Sequence, residues 1–300
     1  MAYSAKVLAD SLSPDNVRLT TMEVTFPRIV LAEFNTHRMF SRNSASSRAI
    51  PVKKMLERVI NDPFLPVYWG KNQKGMQASE ELSPEAKALA LEQWLLARDN
   101  AVNVVKVLQE PHIDLHKQIA NRLLEPFLWH TVIVTSTEWE NFWGLRCNKE
   151  AQPEIRIIAE MMRWEYNASV PMHLSFDQWH LPLVSEQHEL YDAGYDTNDL
   201  CRISVGRCAR VSYLTHDGKR EPEADVQLCE RLWSSGHMSP GEHVARPMTR
   251  DDGEKILHKM APVSVDVLDI DVRNIFAGNF RGWVQMRKEM PCEDNFLRRV

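Results

Sequence analysis

Hydrophobic and polar positions along the chain fall into a few β-type runs and several longer helical runs. Residues 17–31 alternate well enough to predict one long strand or a hairpin, and the apolar run 132–135 predicts a further strand. Turn residues in 1–16 predict a short strand followed by a loop. Helices are predicted over residues 52–61, 86–108, 114–124, 153–166, 200–213 and 223–234. Residues 63–77 and 171–198 are predicted to be irregular, and residues 263–272 to be partly a strand.

Local signals mark several helix ends. Ser83 is a typical N-cap, and Pro84 and Glu85 follow it in the first helical turn. Pro126 ends one predicted helix and Gly236 another. Long helices with strands between them predict an α+β fold, with an antiparallel or mixed sheet flanked by helices. No G-x-G-x-x-G or Walker loop occurs, so a standard dinucleotide or nucleoside-triphosphate site is not indicated.

Residues 36–48 have the most unusual composition of the chain. They include three arginines, one histidine, one asparagine and four serines but no lysine, and they follow a hydrophobic run. Unpaired charge is too costly to bury, so the segment is expected to lie outside the core. Arginines offer forked donors to phosphate and hydroxyls add short hydrogen bonds, which indicates an anion-binding loop. A solvated basic loop is the plain alternative; the serines, the missing lysine and the preceding run weigh against it.

Composition narrows the class of ligand. The 300 residues carry a formal net charge of −5, and their hydrophobic content of 44% and charged content of 26% are ordinary for a globular protein. Such a chain is not expected to bind a nucleic-acid polymer, whereas a local basic loop suits a small anion. No apolar run is long enough to span a membrane, and no signal-peptide pattern occurs. Five scattered cysteines without a CxxC pair predict reduced thiols in the cytoplasm.

Two histidine-containing segments are candidate sites. His112 and His116 have the i, i+4 spacing of a metal pair, but no third ligand is apparent, so no metal site is predicted. In residues 237–243, Ser239 and Pro240 predict the start of a helix, whose free N–H groups would suit a phosphate. A plain capping segment is the alternative there.

Three separated patches resemble the flavin-dependent thymidylate synthase family. The family signature is Arg-His-Arg, seven residues, Ser, and an Arg two places on; residues 36–48 match all of it except the first arginine, which is Thr36. Residues 141–146 and 151–155 resemble Asn-Phe-x-x-Leu-Arg and Ala-Gln-x-Glu-Ile, and residues 120–126 lie where the family has Ala-Arg-x-x-Leu-Pro. Residues 209–212 and 237–243 resemble Ala-Arg-Val-Ser and His-x-Ser/Thr-Pro-x-Glu-His.

The order of the patches differs from the family, in which the third patch comes first. A circular permutation within a single domain of residues 1–300 is the simplest explanation, because folds tolerate one when the cut falls in a loop. It divides the chain into a nucleotide half (17–170), a flavin half (200–243) and a C-terminal tail (244–300). Residues 200–243 are then expected to pack against the strand ending at Leu31, and Gln285 and Arg287 of the tail to reach the site.

The resemblance implies roles for the matched positions. Arg146 is the implied catalytic residue, which polarises a pyrimidine ring. The implied substrate-binding residues are Glu33, Arg38, Ser44, Ser46, Ser47, Arg48 and Arg122. The implied FAD-binding residues are His37, Met39, Asn141, Ser212, His237, Ser239 and Glu242.

The resemblance further implies synthesis of dTMP from dUMP, with FAD, 5,10-methylenetetrahydrofolate as one-carbon donor and NADPH as hydride donor. It implies a homotetramer with shared sites and no cysteine nucleophile. Two positions depart from the family: Thr36 replaces an arginine and Glu33 replaces a glutamine. The base therefore stays open between uracil and cytosine, and the reaction between methylation and hydroxymethylation. A non-catalytic nucleotide-binding relative is the remaining alternative.

Overall fold

A five-stranded mixed sheet forms the centre of the fold in the computed structural model, which describes residues 2–212, 221–260, 271–291 and 293. Its strands are β1 (Ser4–Leu12), β2 (Arg18–Pro27), β3 (Ser41–Ser44), β4 (Trp129–Ser136) and β5 (Met172–His173). They lie in the order β3-β4-β2-β1-β5, with β1 and β5 parallel and all other pairs antiparallel. The prediction of an α+β fold with a mixed sheet is confirmed.

Helices surround this sheet, and short 3-10 segments join several of them. The α-helices of the described residues are α1 (Leu31–Asn35), α2 (Val52–Asn61), α3 (Pro84–Leu108), α4 (Lys117–Ala120), α5 (Glu140–Arg146), α6 (Pro153–Ala168), α7 (Gln187–Asp192), α8 (Thr197–Ala209), α9 (Pro222–Ser234), α10 (Arg250–Met260) and α11 (Met286–Glu289). None of the described helices combines the length and the apolar character needed to cross a membrane.

Both faces of the sheet are covered, because successive strand side chains point to opposite faces. On one face, Val24 of β2 and Val134 of β4 share a buried cluster with Ile155 of α6. On the other face, Ile133 of β4 packs with Cys208 of α8. A strand that is buried on both faces has few positions where a charged residue is tolerated. This explains why the sequences of β2 and β4 are strongly hydrophobic.

Several predicted elements are confirmed with their boundaries. Helix α2 covers the predicted range 52–61 and buries Val52, Met55 and Val59, one amphipathic face. Helix α3 begins at Pro84, and the Ser83 hydroxyl accepts a hydrogen bond from the Ala86 N–H at 3.3 Å. Gly236 follows α9 with a φ of +80°, which favours glycine and ends the helix as predicted.

The strand predicted over residues 17–31 is wrong at its C-terminal end. Strand β2 ends at Pro27, and the chain continues as a 3-10 turn (Arg28–Val30) into α1. Proline has no N–H to donate to a neighbouring strand, and its φ of −60° suits the residue before a helix. The Arg28 N–H donates to the Leu128 carbonyl oxygen at 2.9 Å as the chain leaves the sheet.

The helix predicted over residues 114–124 is also wrong in extent. Asp114 has a φ of +45°, which is incompatible with a right-handed helix. Helix α4 begins only after His116, whose Nδ1 accepts from the Gln118 N–H at 3.2 Å, and a 3-10 helix (Asn121–Phe127) replaces its second half. Residues 171–198, predicted to be irregular, contain α7 and β5. The strand predicted over residues 263–272 lies almost wholly outside the described residues.

The C-terminal tail builds a second, smaller sheet beside the first. Its strands are β6 (Ala245–Pro247), β7 (Phe276–Ala277), β8 (Phe280–Arg281) and β9 (Trp283–Gln285), in the order β6-β9-β7-β8. Trp283 is fully buried beside Leu19 of β2, and its indole N–H donates to the Val17 carbonyl oxygen at 3.1 Å. The two sheets are therefore joined through buried apolar contacts.

The residues after 200 return to the central sheet, although not at the predicted strand. The 3-10 turn Ser239–Glu242 packs against β3, and the turn Arg210–Ser212 packs against β3 and β4. The contact was predicted on the strand that is now β2, whereas these two turns pack on β3 and β4, which lie on one side of β2 in the sheet.

Candidate functional site

The loop of residues 36–48 is held in place at its middle and at its far end. Its middle is strand β3, in which Ser41 pairs with Thr135 of β4. At its far end, the buried Asn121 amide donates to the carbonyl oxygens of Ser47 at 2.7 Å and Ile50 at 2.9 Å. The loop is thus a defined structural element rather than a solvated connection.

The prediction that this loop lies outside the core is wrong for part of it. His37, Ser41 and Ser47 are buried, whereas Arg38 and Arg48 are exposed. The buried side chains are neutral and have hydrogen-bond partners, so their burial costs little. The two exposed arginines form no ion pair with any residue that the structure describes. Their charges are therefore available for an anion.

Arg146, the predicted catalytic residue, lies directly against the loop. It is the last residue of α5, and its Nε donates to His37 Nε2 at 2.9 Å. Its terminal nitrogen donates to the Thr36 hydroxyl at 3.3 Å, and that hydroxyl donates to the Glu33 carbonyl oxygen at 2.6 Å. The His37 ring also lies edge-on to Phe142 of α5, with ring centroids 4.8 Å apart. The structure therefore brings the first two patches together.

His37 is a neutral acceptor in this arrangement. Burial, together with the nearby positive charges of Arg146 and Arg42, lowers the pKa of His37 to about 4. An arginine N–H is only a donor, so His37 Nε2 must be unprotonated and Nδ1 must carry the ring proton. A neutral imidazole thus orients the guanidinium and leaves its positive charge uncompensated.

Ser47 and Arg122 meet at a carboxylate that the sequence did not single out. Glu125 Oε1 accepts from the Ser47 hydroxyl at 2.7 Å and from Arg122 at 2.8 Å. Arg28 forms an ion pair with the same oxygen at 3.1 Å. Two arginines around one carboxylate leave a net positive charge beside the loop. The spacing of Arg122 and Glu125 at i, i+3 on a helix was the available signal.

The segment 237–243 is a single turn, which corrects the predicted helix start. Ser239–Glu242 form a 3-10 helix without a side-chain cap, because no described hydroxyl or carboxylate accepts from its first N–H groups. His237 and Ser239 are exposed, and Glu242 is half-buried. His243 is fully buried and its Nδ1 lies 2.7 Å from the Thr135 hydroxyl. The turn is therefore attached to β4 at the position that pairs with Ser41.

The other predicted site residues lie around the same region with differing contacts. Asn141 is exposed in the first turn of α5, and Met39 accepts a hydrogen bond at its carbonyl oxygen from Ser136 at 3.3 Å. Ser44 ends β3, and Ser212 ends the 3-10 turn beside it. Ser46 is half-buried after β3.

Glu33 does not pair with Arg38, which was one of the two expectations for it. One of its carboxylate oxygens, Oε2, is buried and has no hydrogen-bond partner among the described residues. An unpartnered buried carboxylate oxygen is unusual because burying it without a donor is costly. Sequence alone could not show that Glu33 lacks this partner. Glu33 and Arg38 are only five residues apart, so an ion pair between them was equally plausible.

A buried chain of hydrogen bonds behind the site was missed by sequence reasoning. Thr21 Oγ1 lies 2.7 Å from Thr135 Oγ1 and 2.7 Å from His180 Nε2, and Thr135 connects in turn to His243. Burial lowers the pKa values of His180 and His243 to about 3, so both rings are neutral. Threonines on one face of adjacent strands were the only sequence signal.

Among the described residues, no group of three or more His, Cys, Asp or Glu side chains could hold a metal ion.

The model of the thymidylate synthase complementing protein family, Thy1, matches residues 11–172, more than half of the chain. The chain belongs to this family. The match includes the loop of residues 36–48, Arg122 and Arg146, and it agrees with the resemblance drawn from the motifs. It ends before the 237–243 segment and the tail, so those parts rest on the motifs and the structure. No curated protein matches the chain.

Solved structures of low identity are also similar to parts of the chain. A UMP/dUMP methylase, PolB from Streptomyces cacaoi bound with 5-Br UMP, is 15% identical, with 55% of this chain and 88% of that chain covered and a TM-score of 0.45. Thymidylate synthase X from Helicobacter pylori with FAD and dUMP is 15% identical, with 49% of this chain and 67% of that chain covered and a TM-score of 0.33.

Proposed function

We propose that this protein is a flavin-dependent methyltransferase that makes dTMP from dUMP. In this proposal, 5,10-methylenetetrahydrofolate supplies the one-carbon unit and NADPH supplies the hydride. The observation that carries it is the position of Arg146, oriented by neutral His37 and by Thr36 at the junction of two family motifs. Membership of the Thy1 family supports the reaction class.

Arg146 is suited to activate a pyrimidine. Its Nε and one terminal N–H are engaged by His37 and Thr36, which leaves further N–H donors of the same fork for a ligand. A cation at the carbonyl edge of a uracil ring stabilises the enolate-like form, in which electron density increases at C5. Because His37 is neutral, the full charge of the guanidinium acts on the ring.

The phosphate of the nucleotide is expected to bind beside the loop. Exposed Arg38 and Arg48 carry charges that no described carboxylate neutralises. Arg122, which shares Glu125 with Arg28, adds to the positive charge beside them. Ser47 and Arg122 are held in place by Glu125. Glu125 also limits the net charge, which favours a small anion over a polymer backbone.

The surroundings also fit a flavin. The proposed contacts at Asn141, His237 and Ser239 are exposed polar groups, and Met39 is exposed as well. The flavin, when bound, supplies the redox chemistry that amino-acid side chains lack. Cys147, which follows Arg146 in the chain, is a poor nucleophile because burial raises the pKa of its thiol.

A second candidate is the same reaction class on dCMP. The observation that favours it is Glu33 Oε2, a buried carboxylate oxygen without a described donor, one helical turn before Thr36. A carboxylate accepts a hydrogen bond from the exocyclic amine of cytosine, whereas the corresponding carbonyl oxygen of uracil repels it. Hydroxymethylation of either base would use the same residues.

We further propose that the protein is a homo-oligomer, as expected for a tetramer with shared sites. Half of the proposed ligand contacts with described side chains are exposed on the single chain, so a second copy would complete and cover them. Helix α3 offers a contact surface, since Leu89, Leu96, Val104 and Val107 are each about half exposed. These four residues lie within about 80° of arc on the helix.

The free thiols among the described residues support a reducing, cytoplasmic compartment.

The decisive experiment analyses the purified protein and its products. Flavin absorbance in the purified protein, or uptake of added FAD, is expected. Incubation with NADPH, methylenetetrahydrofolate and either dUMP or dCMP should give a product 14 mass units heavier by mass spectrometry for one methyl group. A gain of 30 units would instead indicate hydroxymethylation. A colourless protein that takes up no FAD and modifies neither nucleotide would contradict the enzyme proposal.

A further inference from the structure

One buried amide of the tail joins two segments of the proposed site. Gln285, at the end of β9, is 2% exposed. Its Nε2 donates to the Ser41 hydroxyl of the anion-binding loop at 2.9 Å and to the Glu242 carbonyl oxygen at 3.0 Å. Both N–H groups of the amide are thus used, one for each segment. Asn279 adds a second contact from the tail to Ser41, at 3.3 Å.

The tail is shaped to hold this amide. Gly278 has a φ of +75°, and a Cβ atom there would lie 1.9 Å from Gln285 Oε1. Glycine is therefore required both by the backbone conformation and by the space that the amide occupies. The Asn279 N–H donates to the same oxygen at 3.4 Å, so each polar atom of the Gln285 side chain has a partner.

A second tail residue contacts the carboxylate of the same segment. The Arg287 guanidinium forms an ion pair with Glu242 and a further one with Glu293 at 2.8 Å. The Glu242 side chain is only 16% exposed, so its charge is little screened by water. Arg287 therefore determines where this carboxylate lies.

These contacts act at one position of the central sheet. Ser41 pairs with Thr135 across β3 and β4, and Thr135 contacts His243. Residues 242 and 243 are thus attached to this pair from two sides: the backbone of Glu242 through Gln285, and the ring of His243 through Thr135. Gln285 is thus a direct hydrogen-bonded link between the turn and the loop, in addition to the attraction between the charges of Glu242 and Arg42.

We propose that Gln285 and Arg287 are positioning residues for the 237–243 segment, so that the tail is an integral part of the site. This rests on the proposed function insofar as the segment binds flavin. The tail lies beyond the residues matched by the family model, and any side chain at Gly278 in its turn would collide with this amide. A tail with no role in the site would need neither the buried bridge nor the glycine.

The test compares Gln285→Leu and Arg287→Gln with a control from the same tail. Asp252→Asn is the control, because Asp252 pairs with Arg246 at 2.7 Å and contacts neither residues 36–48 nor 237–243. Hydrogen–deuterium exchange of the flavin-free proteins measures the backbone protection of residues 41–44 and 239–243. Titration with FAD measures the dissociation constant.

Gln285→Leu should accelerate exchange in both segments and weaken FAD binding about tenfold, the effect of losing 1.4 kcal/mol. Arg287→Gln changes a side chain that is 31% exposed and should fold, with faster exchange at 239–243 alone. Unchanged exchange in these variants, or equal acceleration in Asp252→Asn, would overturn the positioning role. Wild-type protein that binds no FAD would contradict the proposed function instead, and the exchange data would still decide the role of the tail.

Discussion

At the residue scale, the candidate site depends on neutral partners that orient charged groups. His37 orients Arg146 without cancelling its charge, and the neutral amide of Gln285 contacts the backbone of the segment that carries Glu242. The sequence indicated Arg146 and the arginines of the loop, because their types and spacing match a family motif. It did not indicate Glu125 or His180, whose roles depend on contacts with residues far away in the chain.

Replacing Arg146 by lysine is expected to abolish most of the activity. Lysine keeps the charge but loses the planar fork, so it cannot contact His37, Thr36 and a pyrimidine together. A fall in kcat of about 10²–10³-fold is expected, as for the loss of other transition-state donors. Arg163→Lys, on the exposed side of α6, is the matched control and should keep wild-type kcat. Equal rates for the two variants would exclude Arg146 from the chemistry.

Replacing Glu33 by glutamine is expected to shift base selection. The glutamine amide can donate to the carbonyl oxygen of uracil, whereas the carboxylate only accepts. The ratio of kcat/KM for dUMP over dCMP should rise by about tenfold or more, the effect of one hydrogen bond exchanged for repulsion. Competition assays with both nucleotides measure this ratio directly. A ratio that does not change would mean that Glu33 does not contact the base.

At the element scale, short turns rather than long helices carry the site. The amphipathic α2 and the capped α3 were predictable because their signals are local. The turn after Pro27, the left-handed Asp114 and the uncapped Ser239–Glu242 turn were not predictable, because tertiary contacts decide these conformations. The third patch depends on the crossing of α8 and α9, where Asp225 pairs with Arg207 at 3.1 Å and Arg210 at 2.6 Å.

Gly206→Ala is expected to destabilise this helix crossing. A Cβ atom at position 206 would lie 2.4 Å from the Asp225 carbonyl oxygen, so the two helices would have to separate. Overpacking of this kind costs about 1–3 kcal/mol of unfolding free energy. In contrast, Gly144→Ala in α5 meets no atom within 4 Å and should stabilise the protein by about 0.5–1 kcal/mol. Denaturant titrations give both values; a neutral Gly206→Ala would disprove the close crossing.

At the scale of the whole molecule, buried neutral histidines make the fold sensitive to acid. Burial lowers the pKa values of His130, His180 and His243 to about 3, well below the usual value of 6.5 in an unfolded chain. Between these pH values the unfolded state binds more protons than the folded state, so acid favours unfolding. The stability that depends on these neutral histidines is complete above pH 6.5 and is lost as the pH falls towards 3.

The free energy of unfolding is therefore expected to decrease steeply below pH 6. Each of the three histidines contributes a slope of ~1.4 kcal/mol per pH unit within that window. Urea titrations at pH 7, 6, 5 and 4.5 measure the slope. His180→Gln should be less stable at pH 7 but should lose less stability on acidification than wild type. A parallel pH dependence of the two proteins would contradict a neutral His180.

Assembly is the second expectation at this scale. Leu96→Glu places a charge in the exposed apolar surface of α3 and should convert the proposed oligomer into smaller species. Lys106→Glu lies on the same helix outside this surface and should leave the assembly intact. Light scattering after size-exclusion chromatography gives the masses. A wild-type protein that elutes as a monomer would contradict the oligomer.

The sequence by itself determined the family motifs and the helices with local caps, because residue type and spacing are enough to specify these features. Only the tertiary structure decided how the patches meet. Arg146 reaches His37 across 109 positions of the chain, and Gln285 reaches Ser41 across 244. Contacts over such separations depend on how strands and turns pack, and the same local sequence permits many alternatives. The role of the tail could therefore be assigned only from its buried amide.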